Sequence, residues 1–309
     1  MNWIFAVGIV VVIFIFWLWI EKWKLIQPSV IEALKMAYRK HGAKFFIDGR
    51  AFNIVAYGRW IPQYIRVYQR LMAWAGPGAK KWMADTYHGK VLTTGDAKSI
   101  INLDHDIPFQ ELSTKIVPYR TARDFLVKAN PDICVTECAC RAISGHGCKP
   151  SQVCMAIGHP FTDFILEHRP ETTRRITREE AVEILDDANR RGWVHHAYFK
   201  DCAFNGFYAI CNCCPECCTG FKAQKLGIDM ICASGYQILV DNNMCKGCGT
   251  CVKKCPFEAV ALVDGKSILN LSKCMGCGVC IPQCSNNART LEIGGELEPL
   301  TIRGMRQSS

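Results

Sequence analysis

Cysteine spacing near the end of this chain is typical of iron–sulfur chemistry. The pattern Cys-x-x-Cys-x-x-Cys-x-x-x-Cys occurs twice, and the second copy starts 29 residues after the first. The first copy consists of Cys245, Cys248, Cys251 and Cys255, and the second of Cys274, Cys277, Cys280 and Cys284. A [4Fe–4S] cluster is a cube in which each iron binds one thiolate. The spacing therefore predicts two [4Fe–4S] clusters.

The predicted ligand sets are crossed. Each loop supplies three thiolates to one cluster, and the fourth comes from the remote cysteine of the other loop. The ligands expected for one cluster are Cys245, Cys248, Cys251 and Cys284, and those for the other are Cys274, Cys277, Cys280 and Cys255. A zinc ribbon is the alternative, but zinc sites use cysteines as two pairs rather than as three and one.

Residues 241–291 resemble the bacterial two-cluster ferredoxins, which share this spacing. Four glycines fit the resemblance, because a loop around a cluster needs positive φ angles and amides that point at sulfur. They are Gly247, Gly249, Gly276 and Gly278. One departure is Ser285, which stands where the first copy has Pro256.

Twelve more cysteines lie between residues 134 and 232. The predicted metal ligands among them are Cys138, Cys140, Cys148, Cys154, Cys211, Cys213, Cys214, Cys217 and Cys218. Thiols this dense would be reactive unless bound. We expect a third [4Fe–4S] cluster or a structural zinc, and a redox dithiol of Cys214 and Cys217 is the other interpretation. Cys202 and Cys232 stand alone and are expected to be buried as small apolar side chains.

The cysteine-rich region also resembles a known protein set. The sequences Cys138-Ala-Cys140-Arg141 and Cys211-Asn-Cys213-Cys214, followed by the ferredoxin repeat, are similar to a widespread set of prokaryotic ferredoxin-domain proteins described mostly as iron–sulfur proteins. This resemblance covers residues 88–291. It implies that the two regions belong together, and it supplies no substrate.

A small α+β module with two cysteine-rich loops brought together is predicted for this region. One helix should start with a capping box of Thr177 and Glu180 and stop at Gly192. A second helix is expected from about Tyr119 to Ala129. His195 and His196 follow the first helix, and adjacent strand residues point to opposite faces, so at most one should face a site. Arg141, beside Cys140, could donate hydrogen bonds to cluster sulfur.

The N-terminal segment predicts a membrane anchor. Residues 3–20 contain no charged side chain, and as a helix they would span about 27 Å of a hydrocarbon core roughly 30 Å thick. A cleaved signal peptide is the alternative, but the basic start and the small-x-small cleavage site are missing. Basic residues follow the segment and none precedes it, which places the C-terminal bulk in the cytoplasm. In that reducing compartment, the chain's 20 cysteines are interpreted as metal ligands rather than disulfides.

The net charge of +9 is concentrated next to this anchor. Residues 35–81 contain ten basic residues and one acidic residue, Asp48, interleaved with aromatic residues. From Arg59 to Met72 the pattern predicts a basic amphipathic helix with Pro62 in its first turn. Such a helix could lie on anionic headgroups or pack on its own domain with a solvated arginine face. Nucleic acid is not an expected partner.

The fold class predicted from these features is α+β, with an N-terminal transmembrane helix, a cysteine-rich α+β module and a C-terminal ferredoxin-like two-cluster domain. The expected boundaries are 1–24 for the anchor, 25–87 for the basic membrane-proximal segment, 88–234 for the module, 235–295 for the ferredoxin domain and 296–309 for the tail.

We expect a single-pass protein of the cytoplasmic membrane that passes single electrons between a cytoplasmic donor or acceptor and a membrane redox partner, such as a quinone-reactive or ion-pumping subunit. The alternative is an oxidoreductase in which the middle module reduces a disulfide, a quinone or a small oxyanion.

Overall fold

The computed structural model describes residue 12 and residues 27–121, 123–294 and 296–300. Its first part is helical and consists of α1 (Pro28–His41), α2 (Lys44–Ile47), α3 (Arg50–Arg59), α4 (Ile61–Met72) and α5 (Pro77–Thr86). The predicted anchor at 3–20 lies outside the described residues apart from Val12. Within the described part, no helix is both long and apolar enough to cross a membrane.

The middle of the chain alternates strands and helices. Its elements are β1 (Tyr87–Leu92), α6 (Thr94–Ile101), β2 (Ile107–Glu111), β3 (Asp124–Val127), β4 (Ile133–Glu137), α7 (Ala139–Ser144), β5 (Gln152–Ile157), α8 (Phe161–His168), β6 (Thr173–Arg175), α9 (Arg178–Arg191), β7 (Val194–Lys200), β8 (Gly206–Cys213), α10 (Thr219–Lys225) and β9 (Ile231–Cys232). The strands form one sheet in the order β6-β4-β5-β8-β7-β1-β9, and β3 pairs with both β2 and β8.

Strand register in this sheet brings distant cysteines together. Strands β5 and β8 are antiparallel with Cys154 opposite Cys211, and β7 and β8 are antiparallel with His196 opposite Cys211. Residues directly opposite each other in an antiparallel pair share a face of the sheet. Cys154, Cys211 and His196 therefore lie on the same face.

The helix predicted before residue 192 is confirmed as α9. Thr177 is its N-cap and accepts a hydrogen bond from the backbone N–H of Glu180, and Gly192 ends it in the left-handed conformation. The side chain of Glu180 pairs with Arg174. One of the two hydrogen bonds of the predicted capping box is thus present, the one accepted by the Thr177 side chain. The Glu180 side chain accepts from Arg174 rather than from the backbone N–H of Thr177.

The helix expected from Tyr119 to Ala129 is wrong. Residues Asp124–Val127 are strand β3, in which Phe125 and Val127 are buried while Asp124 and Leu126 are half-buried. This two-residue alternation fits a strand, because successive strand side chains point to opposite faces. A segment of four residues is too short to show clearly whether its hydrophobic pattern repeats as in a helix or as in a strand. Its pairing with β2 in the sheet decides the conformation.

Helix α4 packs on the molecule itself. Ile65, Tyr68 and Met72 are buried, and the helix contacts α7 and α10. Arg66 and Arg70 remain exposed on its outer side. Of the two predicted placements, the structure has the helix packed on its own domain with a solvated arginine face.

The C-terminal part has a ferredoxin-like arrangement. With the helices and strands described above, the whole fold is a mixed α and β structure. It consists of β10 (Tyr236–Val240), α11 (Thr250–Lys254), β11 (Val260–Val263), β12 (Lys266–Leu269) and β13 (Arg289–Ile293). Strands β10 and β13 form one antiparallel pair, and β11 and β12 form another. The cysteine loops lie between β10 and β11 and between β12 and β13.

Candidate metal centres

Six cysteines of the middle module form a closed ring, which we call the thiol basin. Its members are Cys138, Cys140, Cys154, Cys211, Cys213 and Cys218, and each thiol contacts two others, in the circular order 138-154-211-213-218-140. They come from the end of β4, helix α7, strands β5 and β8, and the start of α10. The expectation of two cysteine-rich loops is therefore corrected, because Cys154, Cys211 and Cys213 lie on paired strands.

The thiols of the basin are buried or half-buried. Cys140, Cys154 and Cys211 keep some accessible surface, although protein atoms surround each of them. Hydrogen bonds from neighbouring thiols hold the pKa of Cys140 well below its usual value and lower that of Cys211 to about 7. Hydrogen bonds to neighbouring thiols and burial raise the pKa of Cys138 and Cys213, and the pKa of Cys154 and Cys218 is raised as well. Six thiols in mutual contact offer enough ligands for a thiolate-bound metal centre.

The other three predicted ligands form a separate set, the thiol trio of Cys148, Cys214 and Cys217. Their sulfur atoms all lie within 4.8 Å of one another, and Cys148 Sγ is 3.1 Å from Cys217 Sγ. The structure therefore divides the nine predicted ligands into six and three.

The remaining cysteines of the module stand apart from both sets. Cys134 on β4 is buried with its Sγ 3.9 Å from the carbonyl oxygen of Thr162, and burial raises its pKa to about 12. Cys202 and Cys232 are buried, as expected from the sequence, and burial raises the pKa of both. Protonated buried thiols of this kind are structural.

Arg141 is buried rather than solvated. Its Nη2 donates a 3.0 Å hydrogen bond to the Asn212 carbonyl, and its guanidinium stacks 3.9 Å from the ring of Trp193. The guanidinium also hydrogen-bonds the thiol of Cys214. The predicted contact with sulfur is thus made to the trio rather than beside Cys140.

The two adjacent histidines differ as strand geometry requires. His195 Nδ1 is 2.6 Å from Asn212 Oδ1, and its Nε2 is 3.1 Å from the hydroxyl of Thr94. His196 lies on the cysteine face with its ring against Tyr198 and Phe221. Among the described residues, neither ring nitrogen of His196 has a hydrogen-bond partner. Burial lowers the pKa of both, to about 4 for His195 and about 3 for His196.

The second C-terminal loop lines a small cavity. Four cysteines line it: Cys255, Cys274, Cys277 and Cys280. Cys255 belongs to the first loop, so the fold brings together the four thiols expected for one crossed ligand set. Burial raises the pKa of Cys274, Cys277 and Cys280. A cavity with four thiols on its wall fits a [4Fe–4S] cluster.

The first loop is nearer the surface. Cys248 is exposed, whereas Cys251 and Cys284 are half-buried. Backbone N–H groups lower the pKa of Cys245 and Cys248, mainly those of Gly247 and Thr250. Amides directed at sulfur fit thiolates that bind a cluster. All four glycines expected to have positive φ do so. At Gly247 a Cβ would lie 2.1 Å from the Gly265 carbonyl oxygen.

Sequence reasoning missed Arg289. This buried residue donates from Nη2 to Cys251 Sγ at 3.2 Å and from Nη1 to Cys280 Sγ at 3.3 Å, so it joins one cysteine of each loop. The internal repeat could have indicated this residue, because the offset of 29 residues aligns Arg289 with Val260. A charged residue at a position that is apolar in the other copy marks a special environment.

Known proteins match this C-terminal region. A family model described as a 4Fe-4S dicluster domain matches residues 237–285. The chain is 47% identical over 34 residues to Ferredoxin-2 of Desulfomicrobium norvegicum, a match that covers 11% of this chain and 58% of that protein. Residues 237–285 form a bacterial-type ferredoxin domain.

A second relative is larger. The chain is 37% identical over 51 residues to ABC transporter E family member 1 of Arabidopsis thaliana, which is 16% of this chain and 8% of that protein. The chain thus covers less than two thirds of the length of either relative. No solved structure matches it. The resemblance predicted for residues 88–291 as a whole stays a prediction.

The ferredoxin domain docks directly on the middle module. Tyr236 Oη donates a 3.2 Å hydrogen bond to Asp96 Oδ1 on α6, and Gln283 Nε2 donates a 3.1 Å bond to the Arg190 carbonyl on α9. Phe257, on the wall of the four-thiol cavity, has its ring 5.2 Å from that of Phe221 on α10. Helix α10 contains Phe221 and has Cys218 of the thiol basin as its N-cap. The contact between Phe257 and Phe221 therefore connects the cavity to the helix that begins at the basin.

Proposed function

We propose that this protein is a membrane-anchored electron-transfer protein in which the ferredoxin domain exchanges single electrons with a metal–thiolate centre in the thiol basin. When bound, a [4Fe–4S] cluster supplies the one-electron step. The family match and the ferredoxin relative support the iron–sulfur ferredoxin domain. The second centre, the direction of transfer and the membrane attachment are the proposed parts.

The contact between Phe257 and Phe221 is the observation on which the proposal depends. Phe257 lines the cavity of Cys255, Cys274, Cys277 and Cys280, and the Phe221 ring lies 5.6 Å from that of His196. His196 in turn lies opposite Cys211 of the basin. Side-chain contacts thus connect the residues around the two sets of thiols.

The first loop is the proposed outer end of this path. Cys248 is exposed, whereas Cys277 and Cys280 line the same cavity as Phe257. Arg289 bridges Cys251 and Cys280, which keeps the two loops adjacent. A soluble redox partner would dock at the exposed loop, and contacts of this kind are small and weak.

The helices α1 to α5 support the proposed attachment to a membrane. Residues 28–86 expose large apolar side chains, including Ile47 at 84% and Phe52 at 69% in the helices and Trp74 at 89% in the turn after α4. Arg66 and Arg70 are also exposed, on α4. Exposed aromatic and basic side chains together suit the interface of an anionic bilayer, next to the anchor predicted at residues 3–20.

Electron transfer can be tested with the full chain purified anaerobically. A pulse of reductant should first reduce the ferredoxin domain, and freeze-quench EPR should then show reduction of a further centre. Phe221→Leu should slow the second phase, because it opens the contact with Phe257. Phe109→Leu, a partly exposed phenylalanine on β2, is the matched control. Absence of a second phase in the wild type would refute the proposal.

A disulfide oxidoreductase is the second candidate, and one distance favours it. The thiols of Cys148 and Cys217 are 3.1 Å apart, and Cys148 is only half-buried, so a dithiol and disulfide could interconvert there. Turnover of a disulfide substrate that disappears in Cys148→Ser would establish this activity in place of simple electron transfer.

A further inference from the structure

The chain path near residues 213–218 separates neighbouring cysteines. Strand β8 ends at Cys213 on the basin face, and Cys214 begins the turn that leads to α10. Cys217 lies in that turn, and Cys218 is the N-cap of α10. Each cysteine doublet therefore sends one thiol to the basin and the other to the trio. One [4Fe–4S] cluster takes four thiolates, so a single such cluster cannot bind all nine thiols.

The trio has the spacing of ligands to a single ion. Among the described residues, it is the set of three His, Cys, Asp or Glu side chains whose ligand atoms all lie within 4.8 Å of one another. Thiolates about 2.3 Å from a tetrahedral zinc lie about 3.8 Å from one another. In a cube each thiolate binds a different iron, and no three of the four cysteines around the ferredoxin cavity have sulfur atoms that close together.

The surroundings of the trio suit a bound cation with thiolates. Ser144 Oγ donates to Cys217 Sγ at 3.2 Å, and Arg141 hydrogen-bonds Cys214. Three thiolates and one divalent ion carry a net charge of about −1, which one buried guanidinium balances. Arg141 is fixed for this role by the Asn212 carbonyl and the Trp193 ring.

We propose that Cys148, Cys214 and Cys217 bind one Zn²⁺ ion, separate from any centre in the thiol basin. Three protein ligands leave the fourth tetrahedral position for water or an added ligand. The ion joins the loop after α7 to the turn before α10. This inference does not depend on electron transfer, because zinc has no redox chemistry.

Metal analysis of the full chain tests the site. The wild type should contain about one zinc per chain in addition to iron, and Cys148→Ser should lose at least about 90% of that zinc with iron content unchanged. Co²⁺ replacing the zinc should give the visible absorption of a tetrahedral thiolate site, absent in Cys148→Ser. Cys202→Ala, at an isolated buried thiol, should keep both metals.

Three results would overturn the assignment. Loss of iron in Cys148→Ser would place the trio in an iron–sulfur cluster. A wild type without zinc but with a Cys148–Cys217 disulfide would establish a redox dithiol, and a wild type with neither would exclude a site. The EPR signal of the ferredoxin domain, measured on each sample, reports whether the chain is folded. Because this signal is measured separately from the zinc content, a chain that lacks the proposed zinc can be distinguished from one whose ferredoxin domain is not functional.

Discussion

Arg289 places a positive charge where both cysteine loops meet. Its guanidinium donates to Cys251 and to Cys280, and the reduced cluster is the more negative state. Hydrogen bonds and positive charge near cluster sulfur favour reduction and raise the potential.

Arg289→Val, which copies Val260 of the first loop, should therefore lower the potentials of both clusters by on the order of 50 mV. EPR-monitored redox titration of the full chain measures this. Arg289→Lys, which retains the charge, should show a smaller decrease. Unchanged potentials in the valine variant would mean that the guanidinium does not influence the clusters.

His195 should make stability depend on pH. Burial lowers its pKa to about 4, against the effects of the Asn212 hydrogen bond and of Asp186, while Lys98 lowers it further. In the unfolded chain the pKa of this histidine is about 6.5. The stabilisation from this neutral histidine is therefore complete above about pH 6.5 and is lost as the pH falls toward 4, by up to about 1.4 kcal/mol per pH unit.

His195→Gln keeps a neutral hydrogen-bonding side chain at all these pH values. We expect its unfolding temperature to fall less steeply than that of the wild type between pH 6.5 and 4.5. Circular dichroism follows unfolding, and the exposed His146→Gln is the surface control. Parallel curves for His195→Gln and the wild type would contradict the assignment.

At the scale of elements, the crossed loops are the main feature. Cys255 ends the first loop after α11, yet it lines the cavity of Cys274, Cys277 and Cys280. Cys255→Ala should therefore perturb the EPR signal of the cluster in the second loop. Cys251→Ala should affect the other cluster. A change confined to the first loop's cluster in Cys255→Ala would show that the ligand sets are not crossed.

Two segments that were both predicted to be helical show why some elements could be predicted from sequence and others could not. Helix α9 has its own signals, since Thr177 caps its start and Gly192 ends it. Strand β3 has four residues and depends on pairing with β2 and β8, which are distant in sequence. Local signals suffice for the first element, whereas the second needs its sheet partners.

The whole molecule joins three predicted regions into one packed body. Buried residues from the first helices, such as Phe45 and Ile65, belong to the same core as Phe199 of the sheet. The ferredoxin domain contributes Val279 to that core. The predicted boundaries at 87 and 234 stay predictions.

Membrane orientation is a property of the whole chain. Because basic residues follow the apolar segment 3–20, the C-terminal bulk should lie in the cytoplasm. A reporter fused after Ser309 that is active only in the cytoplasm should be active, and one that is active only outside should be inactive. The reverse result would also remove the argument that the cysteines are reduced metal ligands.

The ferredoxin centre was determined by sequence alone. Three cysteines of a Cys-x-x-Cys-x-x-Cys loop are neighbours in the chain, so their spacing limits them to one cofactor. The positive φ angles of Gly247 and Gly276 follow from the same local geometry. The family match to residues 237–285 agrees with this prediction.

The division of the middle cysteines was decided only by the tertiary structure. Spacing predicted nine metal-ligating thiols and did not divide them into sites. Cys154 meets Cys211 through strand register, and Cys213 and Cys214 turn apart at the end of β8. Arg289 likewise reaches Cys251, 38 residues away in sequence. Contacts between distant segments depend on how strands pair and domains dock, and residue types and short spacings do not specify that packing.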